Sequence, residues 1–187
     1  MGFTCPLPLH SIYHERRKPE KNYSIGRKKM AKILVLYYSR SGNTRKMAEA
    51  VADGARNTGA EVTVSDVKKC SLEQLLDHDG IVAGSPTYYG LVAGPLKEFF
   101  DRSVKYHGKL EGKVGGAFSS SALLGGGNET TVLSILQMML VHGMIVQGRS
   151  KNSHYGAVSV EAPDESALEQ CRQLGERVSM LAGKLFG

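Results

Sequence analysis

The sequence predicts an α/β domain, a parallel sheet with helices on both faces. Three observations predict it. Beyond residue 30, strand-like and helix-like patterns alternate along the chain, the order that stacks parallel strands between helices. The run Ile33-Leu34-Val35-Leu36-Tyr37-Tyr38 is apolar without alternation, as in a strand covered on both sides. It stops at Ser39-Arg40-Ser41-Gly42-Asn43-Thr44-Arg45, and a helical period begins at once.

Each element follows in order. The first strand is expected over 32–38 and its helix over 43–58, with Met47, Val51 and Ala55 recurring at helical spacing. Gly59 ends that helix. Residues 61–67 alternate and read as the second strand, and 71–77 as a short helix. Gly80-Ile81-Val82-Ala83-Gly84-Ser85 is a buried third strand that breaks at Pro86. Pro95 opens a helix to 105 with Leu96, Phe99, Phe100 and Val104 on one face. A fourth strand spans 114–118, and a mostly apolar helix 129–141. Residues 144–146 and 157–160 read as a last strand interrupted by an irregular loop, and 164–185 as the terminal helix. Five such strands suit the doubly wound order 2-1-3-4-5, whose ligands bind beyond the carboxyl ends of the strands.

Composition narrows the classes. With 41% apolar and 22% charged residues the profile is globular, and no apolar run is long enough to span a membrane. The net charge of +6 is unevenly placed: residues 1–30 carry seven Lys/Arg against two acids, the rest 17 against 16. Residues 1–30 are therefore expected to be a disordered basic extension, with Met30 a natural start, and 31–187 the folded domain. A nucleic-acid or membrane-surface arm is the alternative for that extension, but no interleaved aromatics or helical face support it. Three scattered cysteines and no Cys-x-x-Cys argue against a metal centre and fit a reducing cytoplasm.

The first turn suits a phosphate. Ser39, Ser41 and Thr44 offer hydroxyls beside a helix N-terminus, where backbone N–H groups are unsatisfied and the dipole is positive. No lysine follows the glycine and no Gly-x-Gly-x-x-Gly is present, so a nucleoside triphosphate or a dinucleotide fits poorly. Arg40 stands mid-loop, where such a side chain ordinarily points to solvent. Two further segments lie at the same sheet edge. Pro86-Thr87-Tyr88-Tyr89-Gly90 offers aromatic faces and backbone groups to a flat amphipathic ring. Ser119-Ser120-Ser121, with Gly125-Gly126-Gly127, gives a donor-rich loop whose glycines allow close backbone approach.

Ser39–Thr44 resembles the Ser/Thr-x-Ser/Thr-Gly-Asn-Thr loop that holds the FMN phosphate in flavodoxins. Taken with Gly84-Ser85-Pro86-Thr87, Phe118-Ser119-Ser120, Gly125-Gly126-Gly127, His142-Gly143-Met144, Tyr155-Gly156-Ala157 and the Leu174-Gly175-Glu176 pattern, the chain over 31–187 resembles the WrbA-type flavoproteins. These are FMN-dependent NAD(P)H:quinone oxidoreductases of flavodoxin-like fold. The resemblance implies FMN held by Ser39, Arg40, Ser41, Gly42, Asn43, Thr44, Pro86, Thr87, Tyr88, Tyr89, Gly90, Ser119, Ser120, Ser121, Gly125 and Gly126. It also implies NAD(P)H as donor, a quinone-like acceptor and a homo-oligomer, dimer or tetramer, in the cytoplasm. The chain departs from the family pattern in four places. Tyr88-Tyr89 replaces Arg-Phe, Val141 replaces the first of two histidines, Leu123-Leu124 enlarge the glycine loop, and an insertion after the second strand is missing. His142 is the candidate catalytic side chain, either a polar group near flavin or acceptor or a helix C-terminal histidine favoured by the dipole. His154 and Tyr155 stand in a loop able to cap the ring. The competing reading is a flavodoxin, a one-electron carrier, although the near-neutral charge of 31–187 lacks the acidic steering surface usual there.

Overall fold

The computed structural model describes residues 30–187. The basic extension therefore lies outside the described residues, apart from Met30. The sheet is built on β1 (Lys32–Tyr37), flanked in parallel by β2 (Glu61–Asp66) and β3 (Gly80–Tyr88). Beyond β3 lies β5 (Val114–Ser121), also parallel. The fifth position is shared by two short strands in succession. β6 (Ile145–Val146) pairs with the start of β5, and β7 (Ala157–Val160) with its end. The expected order 2-1-3-4-5 is thus present, and the last strand is interrupted as its sequence suggests. A short β4 (Leu91–Val92) is antiparallel to the tip of β3.

Helices cover both faces because the strand residues point alternately to each. Ile33, Val35, Val82 and Phe118 pack against α1 (Asn43–Asn57) and α5 (Glu165–Phe186). Leu34, Leu36, Ile81 and Ala117 pack against α3 (Gly94–Arg102) and α4 (Asn128–Val141). Between β2 and β3 stands the short α2 (Gln74–Asp77). α5 begins at Asp164, whose carboxylate accepts from the Ala167 N–H at 2.7 Å, a side-chain cap.

α1 and α5 touch backbone to backbone. A Cβ on Gly54 would sit 1.9 Å from the Arg172 carbonyl oxygen, and one on Gly175 would sit 1.9 Å from that of Val51. Glycine inside a helix costs about 1 kcal/mol relative to alanine. At these two positions a side chain would drive the helices apart.

Two strand boundaries differ from expectation. β3 runs through Pro86 to Tyr88. The β1 pairing ends at Tyr37 with Gly84, so on that side Pro86 has no strand to which a missing N–H would matter, while it stays in register with Ser120. β5 continues past Phe118, so Ser119, Ser120 and Ser121 are its last residues and are buried. Serines in a buried strand read as a loop because their hydroxyls find partners only in the folded structure.

Candidate functional site

Three segments meet at the carboxyl edge of the sheet. The first is the turn after β1. Gly42 caps α1 with φ +97°, a left-handed conformation, and no side chain caps the helix. The first intrahelical bond runs from the Lys46 N–H to the Gly42 carbonyl. The N–H groups of Asn43, Thr44 and Arg45 consequently have no intrahelical acceptor. Ser39 Oγ accepts from the Gly42 N–H at 3.1 Å and closes the turn. Arg40 and Ser41 are exposed.

Thr44 ties this turn to β5. Its hydroxyl is buried and lies 2.9 Å from Ser120 Oγ. A second set of hydroxyls runs beside it: Thr131 donates to Thr87 Oγ1 at 3.0 Å, and Thr87 lies 3.0 Å from Ser119 Oγ. Ser121 donates to the Leu123 carbonyl at 2.9 Å and fixes the start of the glycine loop. The three serines therefore brace the loops from within the sheet, and their hydroxyls are already engaged.

The segment after β3 is a β-hairpin. Thr87 pairs with Val92 and Tyr88 with Leu91, leaving Tyr89 and Gly90 as a two-residue turn. Their φ values are +50° and +79°. Two left-handed residues suit the twist of a tight hairpin. The turn meets the glycine loop: a Cβ on Gly127 would lie 2.8 Å from Gly90 Cα, and Thr130 Oγ1 lies 2.8 Å from the Gly90 carbonyl. Tyr88 is partly exposed and meets Tyr38 edge-on, with ring centroids 6.5 Å apart. The Lys68 ammonium sits 5.2 Å from the Tyr38 ring centre. Tyr89, Leu91, Leu123 and Leu124 are exposed on these two segments. Gly125 is exposed, and Gly126 donates to the Leu123 carbonyl. His154 and Tyr155 border a small recess of about 130 Å³ beside Glu129 at the start of α4.

The structure does not bring His142 to these loops. It follows α4 at the opposite edge of the sheet, where the Gly143 carbonyl accepts from the Gly112 N–H just before β5 begins. α4 has 14 residues, which at the helical rise separates the two edges by about 20 Å. Ser103 gives its proton to the Phe100 carbonyl at 2.6 Å and lies 2.8 Å from His142 Nε2, so Nε2–H donates to Ser103. Nδ1 is buried without a partner. Burial and then the nearby His107 push this imidazole below its ordinary pKa. Protonation would add an N–H with no acceptor. Within the chain, His142 is a buried strut between α3 and α4 rather than a catalytic group beside the loops.

Thr131 and Thr130 were missed by sequence reasoning, as was Tyr38 at the end of the first strand. The hydroxyl pair directly after Gly127-Asn128-Glu129 was the available signal.

A parallel sheet of this order, with helices on both faces and loops gathered beyond the carboxyl ends of its strands, defines a flavodoxin-like protein. Residues 70–156 match the NADPH-dependent FMN reductase family. A protein of Aquifex aeolicus named flavodoxin is 44% identical, the match covering 80% of this chain and 86% of that one. A protein of Archaeoglobus fulgidus named NAD(P)H dehydrogenase (quinone) is 38% identical, covering 83% of this chain and all of the relative. The solved structure of a flavodoxin, WrbA-like protein from Agrobacterium tumefaciens superposes with a TM-score of 0.72 at 28% identity, covering 84% of this chain and 99% of that one. The chain belongs to the WrbA-type family of flavodoxin-fold proteins.

Proposed function

We propose that this protein is an FMN-dependent oxidoreductase that passes two electrons from NAD(P)H to a quinone or a similar flat acceptor. The observation behind it is the uncapped start of α1, tied to β5 by Thr44 and Ser120 at the same sheet edge as the hairpin and the glycine loop. A phosphate monoester fits there: neutral donors from Asn43, Thr44 and Arg45, with the Ser39 and Ser41 hydroxyls nearby, match a dianion at a positive helix end. Pro86, Thr87 and Gly90 offer backbone groups to a ring edge, Tyr88 and Tyr89 an aromatic face, and Gly125 and Gly126 an approach without side chains. Bound FMN supplies the redox chemistry, accepting two electrons from NAD(P)H and giving them to the acceptor. The chain's own share is to hold the phosphate, orient the ring and keep water from one face of it through Leu123 and Leu124.

The protein is further proposed to work as a homo-oligomer in the cytoplasm. Leu133, Leu140 and Val141 on the outer side of α4 leave apolar surface uncovered. Among the described residues no helix is long and apolar enough to cross a membrane. Light scattering on the eluting protein tests the assembly: a dimer or tetramer is expected, and a monomer at all concentrations refutes it.

The test of activity is anaerobic. FMN-loaded protein is mixed with NADH or NADPH while the visible flavin absorbance is followed, and benzoquinone is then added. Bleaching with either nucleotide, reversed by the quinone, is expected. Flavin that stays oxidised with both nucleotides sinks this reading. It would leave the one-electron carrier, which the 44% identical Aquifex relative favours by its name.

A further inference from the structure

A second cleft lies far from these loops, where the outer edge of the sheet meets the last helix. It encloses about 680 Å³ between β6 and α5, a size ordinary for small-molecule sites. Ile145, Val146, Met180 and Leu181 form its apolar wall. Arg149, Arg177 and Lys184 contribute three positive charges, and Glu176 one negative charge.

Glu169 feels the charge of Arg149, which helps to hold its carboxyl low, but among the described residues no such acidic neighbour acts on Arg177. Arg177 Nε is buried and has no hydrogen-bond partner. Glu176 is its neighbour in sequence, and adjacent helical positions do not face each other. Burial, and then the second positive charge that Arg149 brings near it, lower the Arg177 pKa. Arg149 itself donates to the Gln173 carboxamide, a neutral partner. A half-buried cation beside a like charge is unfavourable in the free protein. Surface arginines avoid this by keeping the head in water, whereas here the Nε–H is out of water. An anion held in the cleft would offset the charge of the guanidinium.

We propose that the β6–α5 cleft binds an amphipathic anion, a carboxylate or phosphate head on an apolar body, with Arg177 and Arg149 holding the head and Ile145, Met180 and Leu181 covering the body. Charge-assisted bonds from two guanidinium groups fix the head. The apolar wall distinguishes such a ligand from a bare inorganic ion. The site is separate from the flavin loops and does not depend on the activity assigned to them.

The probes are decanoate, decanol and inorganic phosphate, added to the protein as purified. Decanoate is expected to raise Tm saturably and to shift the Arg177 Nε–H resonance. Decanol lacks the charge and phosphate lacks the chain, so each should need about tenfold more for the same shift. Arg177→Met removes an unpaired cation, so the free protein keeps or gains stability while the decanoate effect disappears. Arg149→Gln, which does not touch the orphaned Nε, weakens decanoate about tenfold. Equal effects of decanol and decanoate would show only a greasy surface and overturn the proposal, as would equal effects of phosphate and decanoate. Undiminished decanoate binding by Arg177→Met would overturn it too. Flavin absorbance is followed in the same samples, and decanoate that displaces flavin instead would place the anion at the other site and refute this one.

Discussion

Thr44 and Ser120 stand 76 positions apart in sequence, yet their hydroxyl oxygens lie 2.9 Å apart in the protein interior. Thr44 belongs to the first turn of α1 and Ser120 to the end of β5. One hydroxyl pair therefore joins the start of α1 to the end of β5, the strand that leads into the glycine loop.

Thr44→Val tests that joint. It leaves the Ser120 hydroxyl buried and unpartnered, which costs about 1–3 kcal/mol. Urea unfolding should show this loss, and FMN affinity should fall about tenfold in a flavin fluorescence titration. Unchanged affinity would mean that the turn holds its shape without the strand.

Two glycines of one loop should respond differently. Gly125→Ala meets open space and pays only for its φ of +71°, about 1 kcal/mol. Gly127→Ala has a φ of +96° and also brings a Cβ within 2.8 Å of Gly90 Cα. A loss above about 2 kcal/mol is expected there, together with weaker flavin binding. Equal midpoints for the two variants would refute the close contact between the loops.

Tyr89→Gly separates folding from function. Relief of left-handed strain adds about 1 kcal/mol, and the freer unfolded chain removes a similar amount. Stability should stay nearly constant while NAD(P)H–quinone turnover falls. Full turnover would remove Tyr89 from the site.

His142 sets a pH dependence. Its folded pKa is depressed from an ordinary value of 6.5, so near and below that value the unfolded chain binds the proton more readily. Stability is present above that value and is lost as pH falls through the folded pKa. Glu73 does not contribute in this range: hydrogen bonds from Tyr106, its own backbone N–H and Lys105 hold it down to about 2. Glu169 is likewise lowered, by Arg172 and Gln173. The urea midpoint of the wild type should drop between neutral pH and about pH 5, and His142→Gln should flatten that slope. An unchanged slope would assign the drop to other groups.

Much of this was legible in the sequence. The apolar run 33–38 and the helical spacing of Met47, Val51 and Ala55 announce β1 and α1 because local pattern alone decides them. Ser119–Ser121 did not announce a strand: their fitness for one depends on Thr87, Thr44 and Leu123, none of them adjacent in sequence. His142 misled for the same reason. Its position after an apolar helix was clear, but which edge of the sheet that helix ends on follows from the direction of β5, and its bond to Ser103 from tertiary packing. Pro86–Gly90 showed its place at the ligand edge, but not its hairpin, which depends on β4, too short to show a period of its own.

The reciprocal glycines of α1 and α5 have a consequence for synthesis. α1, whose first N–H groups lack intrahelical acceptors, rests on α5 (Glu165–Phe186), made much later in the chain. A chain emerging from the ribosome makes α1 early but lacks its supporting wall until α5 has followed. The turn before α1 therefore reaches its final place only after α5 is made, and a chain cut before α5 has that turn without the helix that supports it.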